Sequence, residues 1–185
     1  MTPRDNDIDA TVFEAAERRR AEEGRGTSSS SPSEAYFLFQ VGGTELAVPA
    51  AFVESVAEVV APVRVPHTPP YILGLVLHGE AALPILDVAR FVGLDGERAE
   101  QVGDESARRF VFVRSGEMVV GLLCDRAAGV RAVERGLRQA AGVLKGGRLS
   151  TFLEAELELP DARVGVLSLE RFIEDARMRP DRDEA

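Results

Sequence analysis

Residues Pro66–Val88 read PHTPPYILGLVLHGEAALPILDV, and the reading of this stretch decides the fold. Pro66, Pro69 and Pro70 each remove a backbone donor and fix φ, so the entry is extended and cannot be helical. An apolar run from Tyr71 to Leu77 leads to the break His78-Gly79-Glu80. A second run, Ala81 to Leu86, carries Pro84 and closes at Asp87. Two apolar runs around a short Gly-containing break predict a β-hairpin buried on at least one face. Pro84 has no N–H to give, so it must face away from the ladder or stand at a bulge.

Working outward, Tyr36–Pro49 reads as another hairpin around Gly42-Gly43. Phe52, Val53 and Val56 then predict one short amphipathic helix, with Pro49 at its first turn. Val59, Val60, Val63 and Val65 predict an extended segment into the proline cluster. On the other side, Asp87 is placed to cap a short helix, Val88 to Val92, ended by Gly93. Leu94 to Ala107 is a polar connection. Phe110 to Leu123 then repeats the opening hairpin: at an offset of 73 residues, Phe37 falls on Phe110, Phe39 on Phe112, Gly43 on Gly116 and Leu46 on Val119. Gly129 to Val133 reads as a strand and Leu137 to Ser150 as loop or irregular helix. Phe152–Leu159 with Arg163–Leu169 reads as a last hairpin, and Glu170–Arg179 as a terminal helix. Two similar hairpins imply two related small β subdomains. Each has only about 70 residues, too few for a generous core alone, so they are expected to share one. Phe37, Phe39, Ile72, Phe110 and Phe112 are expected to be buried.

Residues 1–33 stand apart as a flexible N-terminal tail, with residues 34–176 as the domain and 177–185 as a C-terminal tail. The alternative to a plain tail is a short helix over Ile8 to Glu23, with Ile8, Val12 and Ala15 at helical spacing and a basic Arg18-Arg19-Arg20 run behind, that docks on a partner or on the domain itself. Gly24 to Ser33 is a Gly/Ser-rich linker. The net charge is 22 − 31 = −9, against a nucleic-acid partner, which needs a basic face. One cysteine allows no disulfide framework, and no apolar run is long enough to span a membrane, so a cytoplasmic protein without membrane insertion is expected.

The sequence shows no catalytic pattern. His67 and His78 are the only histidines and cannot close a zinc site with one cysteine. Gly142 to Gly147 lacks the ordered phosphate-loop pattern, and neither G-x-S-x-G nor G-x-G-x-x-G is present. Cys124 lies in an apolar strand and reads as a small buried hydrophobe. Asp87 and Asp125 each follow an apolar strand, where turn and cap roles suit them best. Neither catalytic residues nor a cofactor or metal is expected.

The central stretch also resembles a known family. Pro66, Pro69, Tyr71, Ile72 and Gly74, then Leu83, Pro84, Ile85, Asp87 and Val88, are similar in order and spacing to the centre of the CheW-like coupling proteins of bacterial chemotaxis. Val120 to Arg126, followed by Gly129-Val130, is similar to the family's second patch. The resemblance covers about Glu34 to Ala176. It implies a mainly β fold of two intertwined five-stranded SH3-like barrels sharing a core, with short helices. It also implies a non-catalytic adaptor that links the cytoplasmic tip of chemoreceptors to the regulatory domain of a chemotaxis histidine kinase. The alternative is a divergent module of the same fold, structural or inhibitory, in another pathway. Partner contact is expected around Val53, Val56, Gly74, His78 and Gly79. The family's region matching Val53 is implicated in receptor binding, but a core role for Val53 is an equal expectation. This chain departs from the family at the hairpin tip, usually Gly-x-x-Asn-[LIV]-Arg-Gly. Leu77, His78 and Gly79 replace the asparagine, the aliphatic residue and the arginine. The turn comes one residue early, and a bulge at Ala81-Ala82 or Pro84 is expected to absorb the slip.

Overall fold

The computed structural model describes residues 32–94, 96, 105–142 and 147–178. Expectations for the N-terminal tail, for most of the 94–107 connection and for residues 143–146 and 179–185 lie outside the described residues.

Eleven strands form two sheets among the described residues. In chain order they are β1 (Ser33–Val41), β2 (Thr44–Pro49), β3 (Val53–Glu58), β4 (Ile72–His78), β5 (Ala81–Asp87), β6 (Arg109–Ser115), β7 (Met118–Cys124), β8 (Arg126–Glu134), β9 (Arg138–Ala140), β10 (Leu153–Glu158) and β11 (Arg163–Leu167). Two helices follow strands: α1 (Val88–Val92) after β5 and α2 (Leu169–Met178) after β11. The first sheet runs β8-β1-β2-β11-β10-β9 and the second β3-β6-β7-β5-β4.

The order shows why the two halves cannot be separated. The hairpin β1–β2 pairs with strands from the end of the chain, whereas β3–β5, which follow it directly, pair with β6–β7. In the second sheet the edge strands β3 and β4 come back together, since Ser55 Oγ lies 2.8 Å from His78 Nε2. In the first, the edge strands β8 and β9 are joined by the single 3-10 turn Arg135–Leu137. In each sheet the two edge strands are thus tied together, by a hydrogen bond in the second and by a short turn in the first. The fold is the expected mainly β, intertwined double barrel, except that the first sheet has six strands rather than five. The extra strand, β9, occupies part of the expected Leu137–Ser150 loop, and Arg148–Phe152 forms a 3-10 helix. In the second sheet its counterpart shrinks to one bridge, Val63 to Leu75.

The two hairpins do superpose in sequence, but at an offset of 74 rather than 73. The β1–β2 turn is Gly42-Gly43 and the β6–β7 turn is Gly116-Glu117, so Gly42 matches Gly116. One residue of slip exchanges the faces of a strand. Phe37 and Phe39 therefore match Val111 and Val113, and all four line the core shared by the barrels. Phe110 and Phe112 turn instead into the second barrel's own core, beside Val76 and Ile85. All four phenylalanines are buried as expected. Ile72 is only half-buried, packed against the shared core.

A second internal echo escaped the sequence reading. At an offset of 81, β4–β5–α1 matches β10–β11–α2: Tyr71 on Phe152, Asp87 on Ser168, Arg90 on Arg171, Phe91 on Phe172. Asp87 N–H donates to Tyr71 O, and Ser168 N–H to Phe152 O, both at 2.8 Å. The matched rings meet at the centre of the molecule. Phe91 lies 4.7 Å from Tyr71, 4.8 Å from Phe172 and 5.3 Å from Phe152, centroid to centroid. Edge-on and tilted arrangements of this kind are the favourable ones for aromatic rings. Arg148 closes the cluster, its guanidinium 3.9 Å above the Phe91 ring while it pairs with Asp175 at 2.5 Å.

Several local expectations hold. Asp87 accepts from Arg90 N–H at the start of α1, and Gly93 ends it with φ 81°. Cys124 is buried. Asp125 holds a turn, but a distant one: its Oδ2 accepts from Gly42 N–H at 2.7 Å. The expected helix over Phe52–Val56 is overturned. Ala50–Phe52 is one 3-10 turn, and Val53–Glu58 is a strand paired with β6. β-branched Val53 and Val56 suit a strand whose partner is waiting, and pairing overrides the weak helical spacing.

Candidate partner-binding site

The β4–β5 hairpin is closed by His78 and Ala81 around a two-residue turn, Gly79-Glu80, with Gly79 at φ 59°. Its register is corrected by a bulge, but on the first strand rather than the second. Ile72 faces Leu86 and Gly74 faces Ile85, leaving Leu73 as the extra residue. Neither Ala81-Ala82 nor Pro84 hosts it. Pro84 is accommodated by register alone: it stands opposite Leu75, whose N–H and C=O both go to Val63, at 2.9 and 2.8 Å. Leu75 therefore asks no donor of the proline.

Gly74 makes this bridge possible. It sits at φ 137°, and a Cβ there would lie 2.3 Å from Val63 O. Only glycine allows the Val63 backbone so close. Beyond the bridge the surface is open and apolar: Val63 is 72% exposed and Leu77 74%, with Val59 and Val60 exposed beside the bridge segment. Exposed apolar groups gathered in this way mark an interaction surface more readily than scattered ones do.

His78 is not a free arm at the tip. Its ring stacks on Phe112 at 3.9 Å and 15°, and its Nε2 meets Ser55 Oγ. It closes the barrel seam by joining β4 to β3. His67, by contrast, is an exposed turn residue at φ 59°.

The expected contact residues thus fall in different settings. Val53 is buried in the shared core, and Val56 is half-buried against it. Gly74 is buried under Val63, and Gly79 stands in open space. The seam bond brings the β3 residues near the hairpin tip; Gly74 lies at the other end of β4. Sequence reasoning did not single out the exposed Val63 and Leu77. Their sequence signal was Leu77 in the place of a polar family residue, and a valine-rich segment too punctuated by proline to be an ordinary core strand. Among the described residues no cluster of His, Cys, Asp and Glu is placed to hold a metal ion. No helix among them is long and apolar enough to cross a membrane.

Two intertwined barrels, a shared aromatic centre and an exposed apolar hairpin define a binding module. The model of the CheW-like domain matches residues 35–177, and the chain belongs to this family of non-catalytic scaffolds. The protein FrzA of Myxococcus xanthus is 32% identical over 106 residues, 57% of this chain and 63% of that protein, so the match spans less than two thirds of the relative's length. The crystal structure of the scaffolding protein TtCheW from Thermoanaerobacter tengcongensis superposes with a TM-score of 0.66. It does so at 17% identity, over 78% of this chain and 90% of that one, a likeness of fold.

Proposed function

We propose that this protein is an adaptor of chemosensory signal transduction in the cytoplasm, coupling chemoreceptors to the regulatory domain of a histidine kinase by binding alone. The observation that carries this reading is the match of the CheW-like domain over residues 35–177, which spans both barrels and the helices that follow β5 and β11. The apolar surface of Val63 and Leu77 supports a protein partner, since an apolar group in water gains most by being covered by another protein surface. Among the residues expected to touch partners, Gly79 turns the chain at the tip, His78 holds the hairpin to β3, and Gly74 shapes the surface from beneath. Val53 and Val56 act through the strand they hold in place.

The experiment is a pull-down of the purified chain against the receptors and kinases of its own cell. The adaptor reading predicts that both classes are retained together. Recovery of neither, from a folded chain, removes the reading.

A further inference from the structure

A second exposed surface lies on the first barrel. Along β8, Val130 and Ala132 are exposed on one side, Ala128 is exposed at the bulge, and Leu137 is exposed in the turn that follows. Arg126, Arg131, Arg135 and Arg138 lie in the same stretch of chain, with Arg131 on the face of β8 opposite to Val130 and Ala132. Three of these arginines reach surface carboxylates, Glu45, Asp161 and Glu154. Arg135 has no side-chain partner among the described residues. Exposed pairs of this kind hold weakly and exchange readily. An apolar strip set among arginines calls for an acidic, amphipathic occupant.

The chain itself carries one. Asp5 to Glu17, DNDIDATVFEAAE, holds five acidic residues and no basic one, with Ile8, Val12 and Phe13 among them. Its point of attachment is beside the strip. Pro32 O accepts from Arg135 N–H at 3.0 Å, and Ser33 pairs with Glu134 at the end of β8. Fourteen residues, opening with Arg18-Arg19-Arg20, separate Glu17 from Pro32. A random coil of that length has a root-mean-square span of about 20 Å. The strip is in reach without strain, at an effective concentration on the order of millimolar. The other exposed apolar surface, Val59 to Leu77, carries Arg64 but also Glu54, Glu58 and Glu80, with Glu54 paired to Arg114, so it offers this segment no excess of positive charge.

We propose that Asp5–Glu17 docks in cis on the exposed side of β8 and the turn Arg135–Leu137, covering this strip until a competing partner displaces it. The full-length chain, uniformly nitrogen-15 labelled, tests this with a spin label on Ala10→Cys in a Cys124→Ala background. The expected result is several-fold weakening of the amide signals of Ala128 to Arg138. The weakening disappears with Arg131→Glu and Arg135→Glu together, and at high salt. Broadening on Val59–Leu77 instead, or on no part of the domain, overturns the proposal. So does equal broadening when labelled and spin-labelled molecules are mixed, which would make the occupant a second copy. Should Cys124→Ala unfold the barrel, amide exchange of the otherwise native chain decides: Ile8→Ser, Val12→Ser and Phe13→Ser together must speed exchange in β8. Unchanged exchange there also overturns it.

Discussion

His78 shows how far a side chain's role depends on what lies opposite it. In the family pattern its neighbour in sequence is an arginine that reaches outward. Here the ring lies flat on Phe112 and holds Ser55, so its polar edge is used inside the barrel seam. Leu77 is left as the outward group at the tip. Gly74 and Val53 allow sharper tests of single positions. Gly74→Ala is expected to cost about 2–4 kcal/mol in urea unfolding, because the new Cβ collides with Val63 O and the φ is unsuited to alanine. Val53→Glu places an unpaired carboxylate in the shared core and is expected to cost about 3 kcal/mol or more. A melting temperature unchanged by Val53→Glu, with partner binding lost, would return that residue to the interface.

The β4–β5 hairpin and the edge strand β8 are the elements on which the two proposals rest. Changing Leu77-His78-Gly79-Glu80 to Asn-Leu-Arg-Gly restores the family's tip but removes the Phe112 stack and the bond to Ser55. Calorimetric titration with the cognate kinase regulatory domain is expected to show tighter binding, since arginine is a multidentate donor and leucine is not. Unchanged or weaker binding would mean that the apolar tip is itself the contact. On β8, Arg131 Nη1 donates to both carboxylate oxygens of Asp161, at 3.1 and 3.4 Å. This guanidinium, helped by Asp161's own backbone N–H, holds the carboxyl below the ordinary aspartate range. A carboxyl lowered in the folded state adds stability above its unfolded pKa and loses it as pH falls through the folded one. The pair is exposed, so the gain is small and screened by salt. A carbon-13 titration is expected to find Asp161 with a depressed midpoint that rises in Arg131→Ala.

For the molecule as a whole, the interleaved order of the strands makes a strong claim. Residues 34–108 contain β1–β2 of one barrel and β3–β5 of the other, but neither β6–β7 nor β8–β11. Such a fragment has two incomplete sheets and lacks half of the aromatic centre, since Phe152 and Phe172 are missing. It is expected to show no cooperative melt and poorly dispersed amide resonances, as little of its apolar surface can be buried. A cooperative transition in that fragment would refute the shared core.

Much of this was legible in local chemistry. Glycine at turns, proline at a strand entry, aspartate ahead of a short helix and alternating apolar runs act over a few residues, and they marked the hairpins, α1 and the absence of a catalytic motif. The order of motifs from Pro66 to Val88 carried the family. What local chemistry cannot express is which strand waits beside which. Val53 and Val56 fit a helix by spacing and a strand by branching, and only the presence of β6 chose the strand. The likeness of the phenylalanines gave an offset of 73, and the core imposed 74, because it needed Val111 and Val113 rather than Phe110 and Phe112 beside Phe37 and Phe39. The bulge moved to Leu73 because Val63 had to approach Gly74. Each of these is decided by a contact between residues far apart in the chain, which exists only once the barrels have closed.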